Sequence, residues 1–249
     1  MKKLLTFLFI FVAFTVSCRR TSAYLPELER ADSLMFVHPD SALMILTRLD
    51  STASFRGEER ARFALLMTQA RSRNYIRPAN DSLIRIATDY YGKHGPADKL
   101  AWSYVYLSNT NHILGNDSLA IKCIREAYKI STTCSDTLLL YFVEYFWSDI
   151  LKYSPPYDAC IPHLLQAKDY AKSLNMYNRV KSCLNEVATS YIYLKEYAVA
   201  RKYLQEALDV TNENDSILNK HLPVILNKLA MTYYAVAITK KHYTILTEL

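Results

Sequence analysis

The stretch Tyr193–Leu208, YLKEYAVARKYLQEAL, decides how the chain is read, because it puts alanine where leucine would bury more surface. Ala200 and Ala207 stand seven apart with Leu204 between them, and Tyr197 stands three before Ala200. At the helical period these residues share one face. A small residue on such a face lets a second helix come close, whereas a large one would hold the axes apart; large residues fill the holes beside it. The alanines therefore mark helix crossings.

The same sizes recur upstream at a fixed step. Ala87, Ala127, Ala167 and Ala207 are each 40 apart, and so are Ile84, Ile124, Leu164 and Leu204. Ala120, Cys160 and Ala200 keep the step, as do Ser108, Ser148 and Ala188, and the larger Leu107, Trp147 and Val187. Internal similarity at such a period is the signature of a repeat architecture.

Composition agrees. Of 249 residues, 51% are hydrophobic and only 4 are glycine, too few for a sheet with tight hairpins or for phosphate-cradling loops. The 20 tyrosines suit helix seams or a gripping groove, since each buries a ring and keeps a polar tip. Helical periodicity predicts two short helices in 25–51, with Asp40 and Ser41 capping the second. It then predicts helices over 58–74, 81–92, 97–114, 117–132, 137–153, 157–174, 177–194, 197–211, 217–238 and 240–249. Asn-Asp-Ser recurs at 80–82, 116–118 and 214–216, each at a helix start, and Glu58 and Glu59 fall in a first turn where the helix dipole favours acids.

Within one unit the spacing resembles the tetratricopeptide repeat (TPR). The best match starts at Lys181, with Leu184, Val187, Ala188, Tyr191, Tyr197, Ala200, Leu204 and Ala207 in the motif places. The unit from Ala101 supplies Tyr104, Leu107, Ser108, Ala120, Ile124 and Ala127, and departs at Asn111, where the family has an aromatic. The unit from Tyr141 supplies Trp147, Ser148, Leu151, Tyr157, Cys160, Leu164 and Ala167, with Glu144 in an apolar place. A unit near 61 fits loosely and has a longer turn, since Asn80 falls in a small-residue place; one near 223 has Leu226, Leu229, Ala230 and Tyr233, but His242 in a small-residue place. The family unit is about 34 residues; the step here is 40 to 42, so helix B or the link to the next unit is longer. The resemblance implies an all-α fold, an α-solenoid of stacked helix hairpins forming a TPR-like right-handed superhelix. Its parts would be an N-terminal hairpin over 26–56 and the repeats over 57–249.

The first residues read as a targeting segment. Lys2 and Lys3 precede an apolar run, Leu4–Val16, of 13 residues. That is short of the roughly 20 a bilayer span needs, and such a segment is a secretory signal. FTVSC, ending at Cys18, resembles the lipobox of bacterial lipoproteins, with Thr15 in place of the usual leucine. The resemblance implies a signal peptide over 1–17, lipidation of Cys18 and a tether over 18–25; Arg19, where aspartate would favour inner-membrane retention, permits outer-membrane sorting. Losing Lys2 and Lys3 lowers the formal charge from +6 to +4. No basic stripe of the kind nucleic acid needs is present. Signal, lipobox, hairpin and repeats together look like the TPR lipoproteins of Bacteroidota.

Catalytic and metal patterns were sought. The six histidines (38, 94, 112, 163, 221 and 242) include no pair at i, i+4 with a glutamate between, and the cysteines have no CxxC spacing. G-x-S-x-G, P-loop and G-x-G-x-x-G motifs are missing from the sequence. No enzyme, metal or cofactor is expected. If any disulfide forms, Cys160–Cys183 is the pair to test.

The function expected is that of a scaffold. In the repeat family the first helix of each hairpin lines the concave side, which here implies Trp102, Val105, Asn109, His112 and Ile113 from one unit. The next gives Phe142, Tyr145, Asp149, Lys152 and Tyr153; the third gives Ser182, Asn185, Thr189, Ile192 and Tyr193; the fourth gives Asn227, Met231 and Tyr234. Aromatic rings supply area and amides pair with an extended backbone, so Trp102, Asn109, Phe142, Tyr145, Asp149, Asn185, Thr189 and Tyr193 are the expected protein- or peptide-binding groove. Asn109, Asn185 and Asn227 resemble part of the family's carboxylate-gripping set, without its lysines. The last repeat would leave Ile245, Leu246 and Leu249 uncovered. They need a partner, self-association through the C-terminal end, or a longer relative of which this chain is a shortened version. The expectation is a lipid-anchored, non-enzymatic scaffold of the cell envelope, on the outer membrane or periplasmic face. The alternative is the sensory or regulatory portion of a membrane signalling protein.

Overall fold

The computed structural model describes residues 24–152, 155–210 and 222–247, with side chains as far as residue 237. The expected signal peptide, Cys18, most of the expected tether, Tyr153, the Asn-Asp-Ser at 214–216 and the side chains of His242, Ile245, Leu246 and Leu249 lie outside the described residues. Among the described residues there are eleven α-helices and no strand. They are α1 (Leu25–Leu34), α2 (Pro39–Thr52), α3 (Gly57–Arg73), α4 (Ser82–His94), α5 (Ala97–Ile113), α6 (Asp117–Ser131), α7 (Thr137–Leu151), α8 (Ile161–Ser173), α9 (Tyr177–Tyr193), α10 (Tyr197–Asp209) and α11 (Leu222–Thr247). The fold is an all-α solenoid of helix repeats.

The chain divides into two compact units between Arg77 and Pro78. In the first, α1, α2 and α3 pack on one another, so α3, grouped with the repeats at the sequence level, belongs with the N-terminal hairpin. Arg48 reaches Glu27 at 3.1 Å and Arg62 reaches Asp32 at 3.3 Å, tying α2 and α3 to α1. Asn74 Nδ2 donates to the Pro39 carbonyl at 2.8 Å, which fixes the end of α3 to the start of α2. Asp40 and Ser41 do not cap α2. Pro39 already sits at the first helical position, where its fixed φ suits the helix and its missing N–H costs nothing, so the boundary falls before Asp40.

In the second unit α5 packs on α6, α7 on α8 and α9 on α10, each hairpin also packing on the next. The repeating alanines occupy equivalent places: Ala87, Ala127, Ala167 and Ala207 are all 0% exposed, and so are Ala120, Cys160 and Ala200. Ile84, Ile124, Leu164 and Leu204 are buried beside them.

Three links are only three residues long, and all three take the same form. After α5, α8 and α9 the middle residue of the link has positive φ: Gly115 (83°), Asn175 (55°) and Lys195 (63°). The next residue's N–H reaches back to the carbonyl five before it, as in Asn116 to Asn111 at 2.8 Å, Met176 to Ala171 at 2.9 Å and Glu196 to Tyr191 at 2.9 Å. This satisfies carbonyls the helix end would otherwise orphan. A left-handed residue costs glycine nothing and other L-residues roughly 1 kcal/mol. Lys195→Gly is therefore expected to stabilise the chain by about 0.5–1 kcal/mol, read as a rise in urea midpoint at unchanged slope.

Two boundaries differ from expectation. α8 starts at Ile161 rather than 157, because a helical turn before Pro162 would drive its ring into the Asp158 carbonyl. Tyr157, expected on the helix, instead stacks on Tyr193 with ring centroids 5.2 Å apart. The helices expected at 217–238 and 240–249 are one, α11, since nothing in AVAITKKHY interrupts the i→i−4 ladder. Among the described residues no helix follows α11.

Candidate functional site

The first helices of the successive hairpins, α5, α7, α9 and α11, carry the expected groove residues. Two of its rings are enclosed. Trp102 and Phe142 lie 5.4 Å apart at the α5–α7 seam, both almost fully buried, in a run of rings that also takes in Tyr106, Tyr141, Tyr145 and Phe146. Trp102 Nε1 donates to Asp136 Oδ2 at 3.1 Å, while Asp136 Oδ1 caps α7 by accepting from the Leu139 N–H at 3.0 Å. Ring area expected to face a ligand is instead used in joining helices: aromatics at helical spacing satisfy a seam as well as a groove. Asn109 is buried on the same helix as Trp102.

The remaining positions draw together farther along. Asp149 and Lys152, at the end of α7, are 2.6 Å apart, and Lys152 Nζ lies 3.8 Å from Glu186 on α9. Thr189 Oγ1, one turn on, donates to the Asn185 carbonyl at 2.8 Å and accepts from Lys228 of α11 at 2.5 Å. Asn185 is 6% exposed, and its Oδ1 has no hydrogen-bond partner. Tyr145 is half-buried beside this strip; burial pushes its phenol pKa up, and Asp149 adds to the shift. Burial also pushes the Lys228 ammonium down from its ordinary value, with Glu186 opposing the shift. Tyr193 stands half-exposed at the far end, on Tyr157. The strip therefore holds donors, acceptors and an incompletely solvated ammonium within reach of two tyrosines.

Lys228 escaped the sequence reading. Its neighbour Asn227, expected on the concave side with Met231 and Tyr234, is exposed, as are those two. Lys228 instead fills the place equivalent to Glu186 and reaches Thr189 along its stem. A lysine beside an asparagine carries no signal of this.

Two motif departures prove to be linked polar pairs. Asn111 Nδ2 donates to Asp81 Oδ2 at 3.2 Å and to the Leu107 carbonyl at 2.9 Å, joining α5 to the residue that precedes α4. The Arg85 guanidinium, 2.7 Å from Asp81, holds that carboxyl below its usual range. Glu144 Oε2 lies 2.6 Å from His163 Nδ1, and the His163 ring stacks on Trp147 at 4.5 Å. Cys123, Cys134, Cys160 and Cys183 are free; burial raises the thiol of Cys123 to about 11 and of Cys183 to about 12. Among the described residues no three candidate ligands cluster to hold a metal, and no helix is long and apolar enough to cross a membrane.

The family described as Anaphase-promoting complex subunit 5, a TPR-like helical-repeat family, matches residues 63–154 and again 151–231. The chain belongs to this family. The two tandem matches fall on the region whose alanines repeat at 40. Among curated proteins there is no match. Among solved structures, BtubC (BKLC) from P. vanneervenii is similar at a TM-score of 0.60 and 16% identity, over 91% of this chain and 86% of that one. At that identity the likeness is one of fold.

Proposed function

We propose that the chain is a lipid-anchored scaffold of the cell envelope that binds a protein or peptide along the strip formed by α7, α9 and α11. The observation that carries the binding reading is the Lys228 ammonium, which crosses from α11 to donate to Thr189 of α9 and is partly desolvated there. An extended peptide crossing the strip would supply a carbonyl for the ammonium. Tyr145 and Tyr193 would flank it. TPR-like repeats commonly mediate protein–protein interaction, which supports the reading. The anchor rests on the sequence around Cys18 alone.

The test is capture of partners by the full chain, expressed with its N-terminus intact, against a Tyr145→Ala plus Tyr193→Ala variant and a Lys228→Met variant. Wild type should enrich a discrete set of envelope proteins or peptides, and both variants should lose most of it while keeping their circular dichroism. Equal recovery by all three would remove the strip from the account. Incorporation of labelled palmitate that Cys18→Ala abolishes is expected of the anchor; label surviving that substitution would refute it.

A further inference from the structure

The α1–α2 turn and the end of α3 lie together at one end of the first unit. Asn74 Nδ2 donates to the Pro39 carbonyl at 2.8 Å, and the Arg73 guanidinium sits over the Phe36 ring at 4.7 Å. From that end Val37 and Tyr75 project, 70% and 96% exposed, with Ile76 beside Tyr75 at 44%. Tyr75 takes the left-handed place after α3, at φ 57°, and the Ile76 N–H reaches back to the Arg71 carbonyl at 2.9 Å. Gly115, Asn175 and Lys195 make the same turn elsewhere; here it carries a ring into solvent. A left-handed backbone is free for glycine and costly for tyrosine, and a ring left this open recovers nothing by burial. The tip is basic as well as apolar. Arg71–Arg77, RSRNYIR, holds three arginines and no acid, and in the facing turn, residues 35–40, Asp40 is the one acid. Arg71 and Arg77 are exposed.

We propose that this tip docks on an anionic bilayer surface, with Val37, Tyr75 and Ile76 in the headgroup layer and the arginines among lipid phosphates. Shape and charge select that occupant. Val37 and Tyr75 are too exposed to line a groove, and a projecting point needs a surface that yields around it. Tyrosine beside aliphatic residues suits the membrane interface. Arginine stems lie along the same layer while their guanidiniums meet phosphate oxygens. Covalent reach agrees. The chain enters α1 at the opposite end of the unit, where the Tyr24 ring packs on Phe55 with centroids 5.3 Å apart. α1 has 10 residues, a length of about 15 Å. Residues 18–23 span at most about 20 Å when extended, so a lipid on Cys18 reaches the bilayer that the tip touches. That last point rests on the anchor proposed above; the docking of the tip does not.

The depth of residue 75 tests it. The full chain, its N-terminus intact, is reconstituted with vesicles of phosphatidylcholine and phosphatidylglycerol whose acyl chains carry bromine near the headgroup end. Tyr75→Trp adds one indole to Trp102 and Trp147, whose emission is read from the wild type. Bromine should quench the added emission at least about twofold on these vesicles and leave it unchanged on phosphatidylcholine alone. Arg71→Gln with Arg77→Gln should abolish the quenching. All three positions are exposed, so circular dichroism should not change. Cys18→Ala separates docking from anchoring: the chain without a lipid should show the same quenching at roughly tenfold or more vesicle concentration. Quenching that survives while palmitate labelling fails would sink the anchor and support the docking. Three results would overturn the docking and leave the anchor standing: an added indole that stays in water on an anchored chain, quenching indifferent to lipid charge, or quenching indifferent to the two arginines. An indole that neither bromine nor aqueous iodide reaches would overturn it too, giving the tip to a protein partner.

Discussion

Ala200→Leu is expected to destabilise the chain by about 3 kcal/mol, although it adds three carbons to an apolar position. Ala200 is 0% exposed, on the helix that packs against both α9 and α11. A leucine there has no void to enter, so either its rotamer is strained or the helix axes part; parted axes would loosen Leu204 and Ala207 on the same helix as well. Ala198, two residues earlier, is exposed on the same helix, and Ala198→Leu should change stability by no more than about 0.5 kcal/mol. Thermal unfolding separates the two, with about 6–12 °C lost for the first and about 2 °C or less for the second. Equal effects would mean the alanines are incidental to the packing.

His163→Ala should cost about as much, by a different route. Glu144 occupies a place that other hairpins fill with an apolar residue, and its side chain is only 8% exposed. Its partner is His163 Nδ1 at 2.6 Å, and the imidazole is in turn stacked on Trp147, against whose edge Tyr128 packs at 5.6 Å. Removing the imidazole leaves a buried carboxylate with its hydrogen-bond partner gone, a loss of about 3 kcal/mol. Removing both ends is milder: Glu144→Leu with His163→Leu should return to within about 1 kcal/mol of wild type, since an apolar pair of similar volume needs no partner. A cycle of the two single variants and the double, followed by urea unfolding, reads the coupling directly. Additive losses would show that the two residues are stabilised independently.

The repeat was legible because it depends on size alone. Alanine, isoleucine and leucine at a step of 40 record which positions touch, and burial follows from that record without further information. The helix ends were less legible, because capping by Pro39 and the stop imposed by Pro162 compete with periodicity and win locally. The absence of a break near residue 239 was misread for a related reason. The family's spacing called for a second helix there, while the local sequence held no residue able to end the first. The candidate site was legible in its residue types and not in its accessibility. Trp102 and Tyr145 look equally suited to a ligand in the sequence, and only the neighbouring helix decides that Trp102 is covered. Long side chains hid most: Lys228 acts a full helix away from its own backbone.

The polar pairs that cross from one helix to another have a bearing on how this chain could be rebuilt. Asn111 is matched to Asp81 at the start of α4, Trp102 to Asp136 of the following hairpin, and Cys160 Sγ lies 3.1 Å from Ser190 Oγ of the hairpin after its own. Each joint has its own key. The hairpins are thus alike in shape yet not interchangeable: deleting, duplicating or reordering one would strand a buried amide, indole or thiol at two junctions at once. Lengthening or shortening the array by whole units calls for moving a residue and its correspondent together.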